Sequence, residues 1–221
     1  MSFIKRWMSF FCLSLLLYPS PLFAEFDKEK ALAGIVDLMS LKDTCIKGGT
    51  GFYIGDTEHV VTAGHMFYSK DCGELTMFLF DVLDDEYRVG TPVKYNKKAD
   101  IGVIAALPVK GPSIDIPFTV MQGQYKKGDH VYIPTVDYDT SKKIIFEGTI
   151  KYTKFVSVVR NEGEIIVHND AILVVPRSGP GTSGSPVLNE DGELIGVVFG
   201  GTDEETHVKP IKYLLELLNA K

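Results

Sequence analysis

Pro180-Gly181-Thr182-Ser183-Gly184-Ser185-Pro186-Val187 is the stretch on which the reading of this chain turns. Gly181 and Gly184 flank Ser183, Pro180 and Pro186 stand outside them, and apolar strand-like runs lie on both sides. Glycines let the backbone turn sharply without a Cβ clash. They also leave room for a carbonyl group to approach the Ser183 hydroxyl. In such a turn the N–H groups of Gly181 and Ser183 converge on one point, a two-donor pocket for a developing oxyanion. A plain Gly/Pro turn between two strands is the alternative for this segment taken alone.

A serine hydroxyl is a weak nucleophile at neutral pH; it needs an adjacent base, and the base needs an orienting acid. Of the five histidines, His65 ends the apolar run Val60-Val61-Thr62-Ala63-Gly64-His65, beside two small residues. His59 sits in a charged turn, and His130, His168 and His207 neighbour polar or strand-start positions, where a solvated or structural role fits. The acid is Asp100, in Lys97-Lys98-Ala99-Asp100-Ile101-Gly102-Val103-Ile104. At the mouth of a buried strand its carboxylate can be desolvated and aimed at an imidazole. Asp81, Asp84, Asp85 and Asp115 lie in turn-like polar settings. Singly, His65 and Asp100 also read as ordinary strand-end residues.

Around these motifs the chain reads as short strands. Residues Glu25 to Thr44 suit a short amphipathic helix followed by a strand. Gly51 to Ile54 and His59 to Thr62 flank Gly55-Asp56 as a hairpin. Leu75 to Val82, Thr91 to Tyr95 and the wholly apolar Ile101 to Leu107 follow as strands. Pro108, Gly111, Pro112 and Pro117 make the joint, dividing 25–110 from 111–221. Beyond it, strands are expected at Asp129 to Ile133, Lys143 to Tyr152, Phe155 to Val159, Glu164 to Val167, Ala171 to Val175 and Leu194 to Phe199. Val208 to Leu218 reads as a terminal helix with Pro210 at its start and Ile211, Leu214, Leu215 and Leu218 on one face. The texture is all-β: two small antiparallel barrels and a C-terminal helix.

Composition bounds the setting. The chain has 221 residues and a formal net charge of −6. Residues 1–24 have the form of an export signal: Lys5 and Arg6, an apolar core from Trp7 to Leu17, then Pro19, Pro21 and Ala24. An uncleaved anchor is the alternative, although the run is short for a bilayer span. Cleavage would remove two positive charges and leave the mature chain more acidic. With no dense Lys/Arg cluster, this argues against nucleic acid or an anionic membrane as partner. Export points to a periplasmic or secreted protein with no stable membrane insertion once the signal is cut. Cys12 falls in the signal, so the mature part keeps Cys45 and Cys72. An even number in an exported chain favours one disulfide, two free thiols being the alternative. No His/Cys spacing points to a metal, and no cofactor is expected.

Thr-Ala-Gly-His, then Asp-Ile-Gly-Val-Ile, then Gly-Thr-Ser-Gly-Ser-Pro, in that order, resemble the trypsin-like (chymotrypsin-fold) serine peptidases, whose His…Asp…Ser order differs from that of α/β-hydrolases and subtilisins. The similarity runs from about Gly49 into the final helix and is to compact bacterial members, the glutamyl endopeptidases and the core of the high-temperature-requirement proteases. The resemblance implies two six-stranded barrels. It makes Ser183 the nucleophile, His65 the general base, Asp100 the group fixing the His65 tautomer, and the Gly181 and Ser183 N–H groups the oxyanion hole. Phe199-Gly200-Gly201 would pair with the backbone of a protein or peptide substrate by strand addition. Residues 176–180, with Arg177 and Ser178, would floor the pocket for the residue before the cleaved bond. An Arg177 guanidinium aimed inward would favour an acidic substrate side chain, although the histidine that glutamyl endopeptidases place nearby has no counterpart in Val197-Val198-Phe199. Cys45 and Cys72 bracket His65 more loosely than the family's disulfide does.

There are departures. Thr182 stands where trypsin has the acid that pairs with its freed N-terminus, so activation by that ion pair is not expected. Gly64 replaces a more frequent alanine, a change that looks sterically tolerable. Three functional classes follow: an active endopeptidase, a narrow processing protease latent until activated, and a non-catalytic binding protein on the same fold.

Overall fold

The structure, a computed structural model, describes residues 26–55, 58–82, 86–107, 118–161 and 164–220. The expected export segment and the joint at 108–117 lie outside the described residues. The helix-then-strand expected after Glu25 is present. Helix α1 (Lys28–Ala33) starts where Asp27 accepts a hydrogen bond from the Lys30 N–H, an N-cap, and strand β1 (Ile35–Lys42) follows.

The first sheet continues with β2 (Cys45–Tyr53) and β3 (His59–Ala63), which pair as the expected hairpin through Phe52 opposite Val61. A single 3-10 turn (Gly64–Phe67), the short pair β4 (Tyr68–Ser69) and β5 (Gly73–Glu74), then β6 (Met77–Val82), β7 (Glu86–Asn96) and β8 (Ile101–Ala106) complete it. The order β1-β2-β3-β8-β7-β6 closes into a barrel. Its interior holds Leu38, Tyr53, Val60, Phe67, Phe78 and Ile104. Neighbouring positions on the same strands, Ile35, Phe52, Val61, Ile101 and Val103, point the other way into a second core. This is why β8 is apolar throughout: both its faces are buried, one in the barrel and one in the seam between the barrels.

The second half is β9 (Thr119–Val120), β10 (His130–Asp137), β11 (Lys142–Asn161), β12 (Glu164–Val175), β13 (Pro186–Leu188), β14 (Glu193–Gly201), β15 (Thr206–Pro210) and helix α2 (Lys212–Asn219). The order β13-β10-β11-β12-β15-β14 becomes a ring through the β13–β14 pairing, and β9 adds parallel to β14. Val131, Ile133, Ile150, Ile172, Val187 and Val198 fill this ring. The expected architecture is therefore found, two six-stranded barrels and a terminal helix.

Three local expectations are corrected. Lys143 to Tyr152 and Phe155 to Val159 form one strand, β11, whose register slips against β12 between Ile150 and Ser157. Bulges there interrupt the alternation without ending the strand. Glu164 to Val175 is likewise one strand, its break at His168-Asn169-Asp170 being only apparent. At the C-terminus, Val208 to Pro210 belongs to β15, with Val208 paired to Ile172 and Val198. The helix starts after Pro210, and its buried side is Ile211 and Leu214, with Leu217 packed alongside, while Leu215 and Leu218 face outward.

Candidate active site

The pairing of β3 with β8 decides where His65 and Asp100 lie. Ala63 stands opposite Ile101 in the register, so the turn leaving β3 and the residue entering β8 are neighbours although 35 positions apart. Asp100 Oδ1 accepts the His65 backbone N–H at 2.6 Å, and Oδ2 lies 3.0 Å from His65 Nδ1. The ionised carboxylate can only accept, so Nδ1 carries a proton, and in the neutral form of the ring the lone pair is on Nε2. Asp100 is buried and its φ is +54°, a left-handed conformation that an aspartate tolerates at modest cost. Burial alone would raise the Asp100 carboxyl pKa. The His65 charge and the hydrogen bonds from its ring and backbone outweigh this and hold it below the ordinary value. Gly64 proves to be required by close approach: a Cβ there would lie 2.8 Å from Ile101 N and 2.9 Å from Asp100 Cα.

The Ser183 loop reaches the same seam from the second barrel. Gly181 and Gly184, with φ of +88° and +91°, make the two sharp turns on either side of Ser183. A Cβ on Gly184 would overlap the Thr50 carbonyl oxygen and Thr62 Oγ1 and lie 3.0 Å from Ala63 N, two residues before His65. The Ser183 carbonyl accepts from Thr50 N at 2.9 Å. A chain of buried hydroxyls fixes this contact. Ser185 Oγ donates to Thr135 Oγ1 (2.8 Å), Thr135 and Thr50 hydroxyls are 3.0 Å apart, and Thr50 donates to the Gly181 carbonyl (2.9 Å). With its single proton on Gly181, Thr50 accepts from Thr135 and from the Val136 N–H. Thr182, in the position of trypsin's activating acid, is buried and donates to the Ser178 or Gly179 carbonyl, at 3.1 and 3.0 Å. The turn is thus braced from within.

His65 and Asp100 are in direct contact, whereas Ser183 is brought to them only through its backbone. Among the described residues Ser183 Oγ has no hydrogen bond to His65, and the Gly181 and Ser183 N–H groups donate to no protein acceptor. A long nucleophile–base approach is common before substrate arrives.

Beside Ser183 lies a cavity of about 170 Å³, bordered by Ser178, Gly181, Gly200, Gly201, Glu205 and Thr206. The buried Ser178 and Thr206 hydroxyls, 3.0 Å apart, give it a polar base. Arg177 also borders it, but its guanidinium bonds the exposed Asp203 carboxylate at 3.0 Å. Phe199 is buried, with the His168 ring 4.3 Å away and Lys209 Nζ 5.1 Å from its centroid. Lys209 donates to His168 Nδ1 at 3.0 Å, and both side chains are almost wholly enclosed. Burial first, then the neighbouring ammonium, pushes His168 down to about 4; burial takes Lys209 down to about 8. His207 is buried as well and shares a 2.8 Å hydrogen bond with Ser157 Oγ, while His130 lies against Glu147 and Tyr132. Cys45 and Cys72 are joined by a disulfide.

Two closed antiparallel barrels with a histidine–aspartate couple and a glycine-flanked serine at their seam define the chymotrypsin-fold class. The model of the trypsin-like peptidase domain matches residues 49–197, and the chain belongs to this family of serine peptidases. A probable periplasmic serine endoprotease, DegP-like, of Chlamydia pneumoniae is 26% identical over 149 residues, 67% of this chain and 28% of that protein. The non-structural polyprotein 1A of avian nephritis virus 1 is 24% identical over 185 residues, 79% of this chain and 16% of that one. The chain therefore spans less than a third of these relatives. Among solved structures, the active form of the Rv3671c protease from M. tuberculosis superposes with a TM-score of 0.71 at 20% identity, covering 92% of this chain and 88% of that one. The HtrA-type protease AlgW with tripeptide gives 0.65 at 18% identity, covering 86% and 60%. At these identities the superpositions speak to the fold alone.

Proposed function

We propose that the protein is an exported serine endopeptidase acting in the periplasm or outside the cell. The observation that carries this reading is the doubly bonded His65–Asp100 couple beside the braced Ser183 turn. In the proposed reaction Ser183 Oγ attacks the substrate carbonyl while its proton passes to His65 Nε2, and Asp100 stabilises the imidazolium that forms. The Gly181 and Ser183 N–H groups bind the oxyanion. His65 then hands the proton to the leaving amine, and water reverses the sequence to release the acid. Phe199, Gly200 and Gly201 pair with the substrate backbone. The cavity floored by Ser178 and Thr206 takes the side chain before the cleaved bond. Export rests on the form of residues 1–24 and on the periplasmic naming of the chlamydial relative.

A second reading, a processing protease latent until a partner or substrate orders the loop, is favoured by His65 bonding to Asp100 with no Ser183–His65 hydrogen bond among the described residues. Both readings are tested with an activated ester. A burst approaching one equivalent of released alcohol, followed by slow turnover, marks an acyl-enzyme. A burst seen only with added peptide supports latency, and no burst under either condition refutes both.

A further inference from the structure

A second cavity, of about 580 Å³, opens on the other side of Gly181 from the one beside Ser178. Gly181 borders both, so the residue assigned to the oxyanion hole is the partition between them. On one side are Gly200 and Gly201, where the substrate chain before the cleaved bond is placed. On the other are Gly49, whose side-chain position is 2.9 Å from the Ser183 carbonyl oxygen, and Tyr138, whose N and Cβ are 3.1 and 3.2 Å from the side-chain position of Gly181. A polypeptide lying along Phe199–Gly201 with its cleaved carbonyl over Ser183 meets Gly181, the residue this second cavity shares with the first.

The lining is unusual for an exposed surface. Met39, Ile46, Tyr87 and Tyr138 present large apolar or aromatic side chains, the last three each about two-thirds exposed (64%, 66% and 66%). They come from β1, β2, β7 and the turn after β10, so four separate elements converge on one apolar patch. Asp37 is the acidic group on its margin. Isolated exposed apolar residues are ordinary, but a contiguous group around a cavity marks a binding surface.

We propose that this cavity is the leaving-group subsite and selects substrates with a bulky apolar or aromatic side chain on the residue directly after the cleaved bond. This rests on the serine-peptidase reading above. Tyr138 and Ile46 are the main selectivity residues. Both border the cavity, and both are exposed enough to be exchanged without disturbing the core.

Acyl transfer reads this subsite separately from everything before the cleaved bond. The protein is acylated with a peptide methyl ester, and amino-acid amides compete with water for the acyl-enzyme. The amine nitrogen attacks the Ser183 ester carbonyl and loses a proton to His65; Ser183 Oγ departs and regains that proton, leaving a new amide and free enzyme. Phenylalaninamide and leucinamide are expected to capture the acyl group at least tenfold better than glycinamide or glutamic acid amide. In Tyr138→Ser and Ile46→Ser the preference should fall to within about threefold. Each ratio is internal to one protein, so an altered overall rate in a variant does not matter. Equal capture of all amides by the unaltered protein, with normal ester hydrolysis, overturns the subsite alone. So does an unchanged preference in both variants, or a patch whose substitution changes only the oligomeric state. Absence of any ester hydrolysis or acyl-enzyme overturns the peptidase reading, and the subsite with it.

Discussion

Replacing Asp100 by asparagine tests the assigned chemistry at its most constrained point. The side chain keeps its size, but one acceptor oxygen becomes an NH₂ donor. Asp100 now accepts two N–H groups, the His65 backbone at 2.6 Å and the ring Nδ1 at 3.0 Å. Turning the new NH₂ toward the backbone would set donor against donor in a buried site, at a cost of about 1–3 kcal/mol. The favoured arrangement keeps the amide oxygen on the backbone N–H and points NH₂ at Nδ1. Nδ1 must then be the acceptor, so its proton moves to Nε2, the atom that has to receive the Ser183 proton. A wrong-tautomer base of this kind lowers kcat by about 10⁴, or roughly 5.5 kcal/mol of barrier. The assay is turnover of a peptide ester, with the histidine tautomer read from ¹⁵N shifts and folding checked by thermal melting. A kcat reduced by less than tenfold in a folded variant whose His65 tautomer has reversed would refute the role assigned to Asp100.

Other perturbations follow from the same contacts. Gly184→Ala combines a φ of +91° with overlap against Thr50 and Thr62 and should lower stability by about 4 kcal/mol in urea melts. Gly192→Ala, at φ +76° with open space around it, should cost only about 1 kcal/mol. Breaking the Cys45–Cys72 bridge, with its sequence separation of 27, should cost about 3.5 kcal/mol on the chain-entropy account, measured as the difference between Cys45→Ala/Cys72→Ala and the parent. The buried His168 makes stability fall on acidification. The unfolded chain takes up its proton near pH 6.5 but the folded one only near 4, so the contribution is complete above 6.5 and is lost as pH falls from 6.5 to 4, by up to about 3 kcal/mol. Urea midpoints of the parent and His168→Gln should converge over that interval, and parallel curves would show that the imidazole is not responsible.

The parts of the molecule that could be read in the sequence were those where several constraints coincide in a few residues. Gly-Thr-Ser-Gly-Ser-Pro marks a turn only small residues can make, and β8 declares its two buried faces by being apolar throughout. Where the signal is spread out or supplied by partners, the sequence does not show it. The bulges in β11 look like a strand end because the alternation breaks locally while the pairing continues. Val208 fits a helical face as well as a strand, and only its pairing with Ile172 and Val198 decides the matter. Gly64 reads as exchangeable for alanine because nothing in the sequence shows how near Ile101 N comes. Thr50, Thr135 and Ser185 are unremarkable singly; their hydroxyl chain exists only once the barrels meet. The Lys209–His168 contact behind Phe199 was invisible for the same reason. Tyr138 and Ile46 carried no motif at all.

The most direct measurement is covalent labelling with a fluorophosphonate, followed by mass spectrometry of the digested protein. The account predicts one adduct per chain, on the peptide containing Ser183, absent in Ser183→Ala and much slowed in His65→Ala. An unlabelled parent protein under every condition tried, or an adduct that persists when Ser183 is gone, would contradict it.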